Sequence, residues 1–192
     1  MKTNNQITLL DKQKAAEVVK FIFNLDFDLC PFYNEIKNEH LMNKLAEQLF
    51  GLRNPTTPTV FEALLDSIVE QQISLKVAQT IEVRLIKKFG EKLTLDGETH
   101  YAYPTPQNIA KVTVNELQGC GLSERKAQYL HGAAQLIIDG KLDLEQLKNL
   151  NNSEEIISEL DAVRGIGIWT AELTMLRGMQ KLDALPADDF RA

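Results

Sequence analysis

Leu160-Asp161-Ala162-Val163-Arg164-Gly165-Ile166-Gly167-Ile168-Trp169-Thr170-Ala171 is the stretch that decides how this chain is read. Apolar residues on either side of Gly165-Ile166-Gly167 carry helical spacing, so the sequence predicts helix, tight turn, helix. Two glycines separated by one apolar residue open backbone torsions closed to other residues, and one helix can turn sharply into the next. Ile166 then faces the core while N–H groups at the start of the second helix face outward. Those donors have no intrahelical partner, and the helix dipole adds to their preference for an anion such as a phosphate. Alone, a Gly-x-Gly turn is more often a plain helix connection. Downstream, Leu185-Pro186-Ala187-Asp188-Asp189 sets a stiff helix-start signal before two carboxylates, which by themselves read as an N-cap pair.

Helical periodicity surrounds this block. Phe61, Leu64, Leu65, Ile68 and Val69 form a core-facing stripe that starts after Pro58 and Thr59. A second helix is predicted from Ser74 to Phe89, stopped by Gly90, and a third from the Ser123 cap through Leu130, Ala134 and Ile137 to Gly140. Shorter helices are expected near 32–50, 106–118, 143–150 and 153–160. Leu93-Thr94-Leu95 and Thr99-His100-Tyr101 flank Asp96-Gly97, a two-residue hairpin turn, and Thr105-Pro106 then opens a new helix. Leu117-Gln118-Gly119-Cys120-Gly121-Leu122 echoes the opening turn. The expected fold is mainly α, with a small β-hairpin inserted near 93–102.

Composition narrows the function classes. The chain has 192 residues, 44% hydrophobic, with a net charge of −6, which argues against a protein that coats DNA by bulk charge. A local basic face remains open: Lys76, Arg84, Lys87 and Lys88 fall in one helix, while Arg125 and Lys126 open another. On charge alone, solvated helix faces are the simpler reading. Cys30 and Cys120 are too few for a disulfide framework or a metal site, and a reducing, cytoplasmic setting follows. His40, His100 and His131 lack metal-ligand spacing. No apolar run reaches membrane-spanning length, the polar start is no signal peptide, and no P-loop or dinucleotide fingerprint is present.

Several further segments stand in a telling order: Asn24-Leu25-Asp26-Phe27-Asp28-Leu29, Glu70-Gln71-Gln72-Ile73-Ser74, Tyr103-Pro104-Thr105-Pro106 and Gly121-Leu122-Ser123-Glu124-Arg125-Lys126-Ala127. With the Gly165–Gly167 turn and Asp189, this set resembles the helix-hairpin-helix DNA glycosylases of the alkylpurine type (3-methyladenine DNA glycosylase II). The resemblance covers roughly residues 20–192. It implies a two-lobed helical glycosylase fold, with residues 1–22 an N-terminal remnant and 23–192 the glycosylase domain, truncated soon after Asp189. Arg164 stands where the family's hairpin has proline, and Glu70 where it has glycine.

The implied activity is base-excision repair: a damaged nucleotide is flipped from duplex DNA and the base–sugar bond of an alkylated purine is hydrolysed. Asp189 matches the family's catalytic acid, and a helix N-terminus favours its ionised form beside a developing cationic sugar. Asp188 is then an orienting neighbour at the substrate pocket. Trp169 stands where strand-nicking relatives carry a Schiff-base lysine, which implies a monofunctional enzyme. Its indole is also suited to stack on an alkylated base. Gln72 matches the residue that fills the gap left by the flipped base, and Gln71, Ser74, Gly165, Ile166, Gly167, Thr170, Arg125 and Lys126 are the remaining expected DNA contacts. Backbone carbonyls of Asp161, Val163 and Gly165 match positions that hold a monovalent cation. No other cofactor and no iron–sulfur cluster is expected. The expected partner is double-stranded DNA with damaged bases, bound by a monomer. Two alternatives stay open: a noncatalytic damaged-DNA-binding module, and a glycosylase for oxidised or deaminated purines.

Overall fold

The computed structural model of the chain describes residues 7–187, so Asp188 and Asp189 lie outside the described residues. The backbone divides into two units, Ile7–Thr56 and a larger one that takes the described chain from Thr57 onward.

The first unit holds α1 (Leu9–Ile22), α2 (Cys30–Ile36) and α3 (His40–Gln48). Thr8 and Asp11 form a reciprocal capping box that starts α1. The helix expected across 32–50 is two helices, because the chain breaks between Ile36 and His40. After α1 the chain turns through Asn24, whose φ is +50°, a conformation Asn tolerates better than most residues. The Arg53 guanidinium donates to the carbonyls of Asn24 and Phe27, and fastens this turn. Thr56 closes the unit: its N–H donates to Ile22 O at 2.8 Å and its hydroxyl to Phe21 O at 2.9 Å. These bonds join the two ends of the segment.

The second unit is built around α4 (Val60–Glu70), followed by α5 (Leu75–Phe89), β1 (Lys92–Leu95), β2 (Glu98–Tyr101), α6 (Pro106–Ala110), α7 (Val114–Gln118), α8 (Glu124–Ile138), α9 (Leu144–Lys148), α10 (Ser153–Asp161) and α11 (Ile168–Gly178). Strands β1 and β2 pair antiparallel, Lys92 opposite Tyr101 and Leu95 opposite Glu98. The turn residues Asp96 and Gly97 have φ of +50° and +81°, as a primed hairpin turn requires. The helix expected across 106–118 is again two, since Thr105 with Asn108 and Thr113 with Glu116 each build a separate capping box.

The core is one apolar cluster around α4, on which Val60, Phe61, Ala63, Leu64, Leu65, Ser67, Ile68 and Val69 are buried. Helix α4 packs against α5, α8, α9 and α11. A helix buried on nearly every side is a rigid reference for whatever its end carries, and Gln71 is the residue that caps the end of α4. No helix among the described residues is long and apolar enough to cross a membrane.

Candidate functional site

The turn between α10 and α11 forms as its glycines predict, but they do different work. Gly165 adopts φ +91°, a torsion that costs other residues energy, and a Cβ there would stand 2.1 Å from the Tyr129 ring. The aromatic ring of α8 therefore lies directly over the Gly165 backbone. Gly167 has φ −93° and ψ 179°, ordinary extended backbone, and a Cβ there would meet nothing within 4 Å. Neither packing nor torsion within the described residues requires a glycine at 167. Between them Ile166 is 2% exposed and points into the core, so only its backbone is available to a ligand. The earlier echo does not repeat this geometry, since there the second glycine, Gly121, takes the positive φ of +108°.

Helix α11 starts at Gly167 with no side-chain cap. Side chains cap the first turns of six other helices of this unit: Thr59 on α4, Thr105 on α6, Thr113 on α7, Ser123 on α8, Asp143 on α9 and Asn152 on α10. The second uncapped start in the described unit is α5, where Ser74 makes no cap bond and is exposed. An uncapped first turn leaves N–H donors and the positive end of the dipole for a ligand.

The two uncapped starts are joined through the end of α4. Gln71 Nε2 donates to Gly165 O at 2.9 Å and to Thr170 Oγ1 at 3.0 Å. The two residues before it are also strapped: Lys126 Nζ donates to Val69 O at 2.7 Å, and Arg177 Nη1 reaches both carboxylate oxygens of Glu70 at 2.8 Å. Gln72, next in the chain, is exposed and held at φ +53°.

Several expected contacts change character. Thr170 is 2% exposed and its hydroxyl accepts from Gln71, so its side chain belongs to the interior. Gln71 spends its amide hydrogens inside the protein. Lys126 is half-buried, and burial pulls its ammonium below the usual lysine range. Arg125, by contrast, is exposed on the first turn of α8. Trp169 is half-buried, and its indole N–H has no acceptor among the described residues. The cation ligands suggested by the resemblance are partly engaged: Val163 O accepts from Ile166 N–H at 3.0 Å and Gly165 O from Gln71. Each of these carbonyls keeps a second lone pair, and the oxygen-only set suits a hard monovalent cation.

Behind the strapped turn lies an acidic group that composition does not flag. The Asp66 carboxyl is pushed up to about 8, first by burial and then by Glu82 and Glu70, against the pull of the Tyr103 hydroxyl and Arg177. Burial also raises Glu82. The Glu70–Arg177 pair thus sits on one edge of a carboxyl cluster, and the Arg177 charge draws both Asp66 and Glu82 back down. Tyr129 and Arg177 carry no sequence signal of their roles, since each acts through a contact distant in the chain. A cavity of about 450 Å³, lined by Phe61, Tyr103 and Ile137 among others, lies at the opposite end of α4. Phe61 and Gln71 are separated along the helix by roughly 15 Å, so this cavity is not the hairpin's.

A family model described as "HhH-GPD superfamily base excision DNA repair protein" matches residues 65–191. The chain belongs to the HhH-GPD superfamily. The match begins inside α4 and takes in the strapped turn and the hairpin. The chain is 33% identical over 183 residues to a DNA-3-methyladenine glycosylase of Bacillus subtilis, covering 94% of this chain and 60% of the relative. The 3-methyladenine DNA glycosylase of Archaeoglobus fulgidus superposes with a TM-score of 0.84 at 28% identity, over 96% of this chain and 62% of that one. An 8-oxoguanine glycosylase/lyase of Clostridium acetobutylicum, bound to duplex DNA with cytosine opposite 8-oxoG, gives 0.82 at 28%, over 93% and 60%. This HhH-GPD chain therefore spans about 60% of the length of the relatives it matches.

Proposed function

We propose that this chain is the lesion-recognising part of a base-excision DNA glycosylase that releases alkylated purines. The observation that carries the reading is the hairpin: α11 starts uncapped behind a glycine whose missing side chain faces open space, and the exposed Gln72 stands on the same strapped assembly. A phosphate oxygen approaches a bare backbone closely, and neutral N–H donors hold it without lysine, which suits an acidic chain. Gln72 enters the gap left by the flipped nucleotide, and Ser74 and Arg125 add contacts to the backbone of the strand. A monovalent cation on the carbonyls of Asp161, Val163 and Gly165 would stiffen the same turn.

Asp189 is the proposed catalytic residue. As the bond between C1′ and the purine nitrogen breaks, its electron pair leaves with the base and the sugar becomes cationic. The Asp189 carboxylate stabilises that charge, and water adds to C1′ and releases a proton to solvent, which leaves an abasic site. Trp169 offers no amine for a Schiff base, so strand scission does not follow. Alkylated purines are themselves electron-poor, which suits stacking on an indole. The comparably close likeness to an oxidised-guanine glycosylase supports a second reading, in which the lesion is an oxidised purine.

Duplexes bearing one 3-methyladenine, 7-methylguanine, hypoxanthine or 8-oxoguanine separate these readings. Base release from the methylated duplexes, lost in Asp189→Asn with DNA binding retained, is the expected result. Release from 8-oxoguanine alone would move the assignment to oxidised purines. DNA binding with no release from any duplex would leave only a binding module.

A further inference from the structure

Resting on the glycosylase reading above, we propose that Gln71 is a positioning residue that locks the Gln72 turn and the hairpin into one rigid DNA-gripping unit. Its carboxamide nitrogen has two hydrogens, and both have acceptors: Gly165 O at 2.9 Å and Thr170 Oγ1 at 3.0 Å. Gly165 O can only accept, so chemistry fixes which end of the carboxamide faces the hairpin. The peptide between Gly165 and Ile166 is pinned from both sides, its carbonyl by Gln71 and its N–H by Val163 O at 3.0 Å.

That peptide matters because Gly165, at φ +91°, is the joint on which the whole turn pivots. Glycine rotates more freely than other residues, and an unpinned peptide here would let the following N–H groups swing. Thr170 extends the lock into the first turn of α11, whose N–H groups face the expected phosphate. On its other side Gln71 is covalently bonded to Gln72. One side chain therefore connects the strand-facing donors of α11 with the residue that enters the duplex. Displacement of either element is felt by the other through bonds of about 3 Å.

Lys126 and Arg177 hold Val69 and Glu70 to α8 and α11, so the end of α4 is already fixed when Gln71 reaches the hairpin. Gln71 is the link of the three that touches the turn itself. Leucine at 71 would fill the space but leave Gly165 O without its donor. Glutamate would set a carboxylate oxygen against that carbonyl.

The test is a double-mutant cycle on the intact chain with Gln71→Glu, Gln72→Ala and the double variant. Affinity is read on a duplex with a tetrahydrofuran abasic site, and single-turnover release on a duplex with one methylated purine. Gln71→Glu is expected to slow release at least tenfold. Gln72→Ala should then cost at least threefold less in the Gln71→Glu background than in the wild type, because the turn has already lost its alignment. Independent, multiplicative losses would overturn the proposal, since a merely stabilising residue gives that pattern. Amide hydrogen exchange without DNA reads the same lock whatever the enzyme's activity. Exchange at residues 166–170 should quicken in Gln71→Glu and not in Gln72→Ala; unchanged exchange in Gln71→Glu would refute the lock. Wild-type protein that neither binds nor releases would defeat the glycosylase reading instead.

Discussion

Alanine at each of the two hairpin glycines separates folding from DNA binding. At Gly165 the new Cβ meets three atoms of the Tyr129 ring between 2.1 and 2.4 Å, far inside van der Waals contact. Forcing a non-glycine residue into left-handed torsion adds about 1–2 kcal/mol, and overpacking adds about 1–3 kcal/mol. Gly165→Ala should therefore destabilise by about 2–5 kcal/mol, a large share of the roughly 5–15 kcal/mol that holds a domain folded. Replacing Tyr129 by alanine in that background should relieve the clash but not the torsional cost. Gly167 differs on both counts, with extended torsions and open space around the added methyl. Gly167→Ala should leave stability unchanged or raise it by up to about 1 kcal/mol, by restricting the unfolded chain. Its methyl instead occupies the room through which a phosphate reaches the α11 donors. A charge-assisted hydrogen bond contributes about 1.5–3 kcal/mol, so affinity for an abasic-site duplex should fall about 10- to 100-fold. Urea unfolding and fluorescence anisotropy measure the two halves. Wild-type affinity in a stably folded Gly167→Ala protein would refute the phosphate reading of the hairpin.

Two other substitutions probe the end of α4. Arg177→Met removes the partner of Glu70 and leaves that carboxylate beside Asp66 and Glu82. The expected loss is about 1–3 kcal/mol, less than for a fully buried pair, because a third of the Arg177 side chain, 33%, is exposed. A double variant with Glu70→Met should recover most of it, and a double variant as unstable as the single one would show that packing, not charge, is lost. Asp66→Asn tests the buried acid through pH. The folded carboxyl titrates at about 8, against about 3.9 when unfolded, so the folded state holds its proton more tightly. Asp66 therefore favours folding fully below the unfolded value, and that contribution drains away as pH rises toward 8. Asn does not ionise, so its stability relative to wild type should climb by about 1 kcal/mol per pH unit through this window and level off above it. Urea midpoints at pH 5.5, 7 and 8.5 decide it; a flat difference would place Asp66 in water.

What the sequence reveals is whatever depends on neighbours in the chain. The Asp96-Gly97 turn, the α4 stripe, the Ser123 cap and the Gly165–Ile166–Gly167 turn are all legible, because torsion, spacing and capping act over a few residues. The single helix expected across 106–118 divides for a local reason too, since the Thr105 and Thr113 boxes each start a helix of their own. Helix α1 goes unrecognised although Thr8 and Asp11 announce it, with Asp standing where a capping box more often has Glu. Gln71 illustrates the harder limit. Its partners lie 94 and 99 positions away, and in sequence it reads as a surface amide. Asp189, the residue that the family resemblance makes most important, lies outside the described residues.

The uncapped start of α11 has a consequence for how this hairpin responds to mutation. A donor that belongs to the main chain is supplied by every residue except proline, so alanine scanning across 168–170 leaves the donors in place. Proline at 168 is the informative change. It would stand at the first helical position, where the ring is tolerated, and Gly167 already has the extended torsions that a residue before proline prefers. Ile168 is 58% exposed, so little packing goes with it. One atom of binding capacity, an amide hydrogen, is removed from a fold that otherwise accommodates the change.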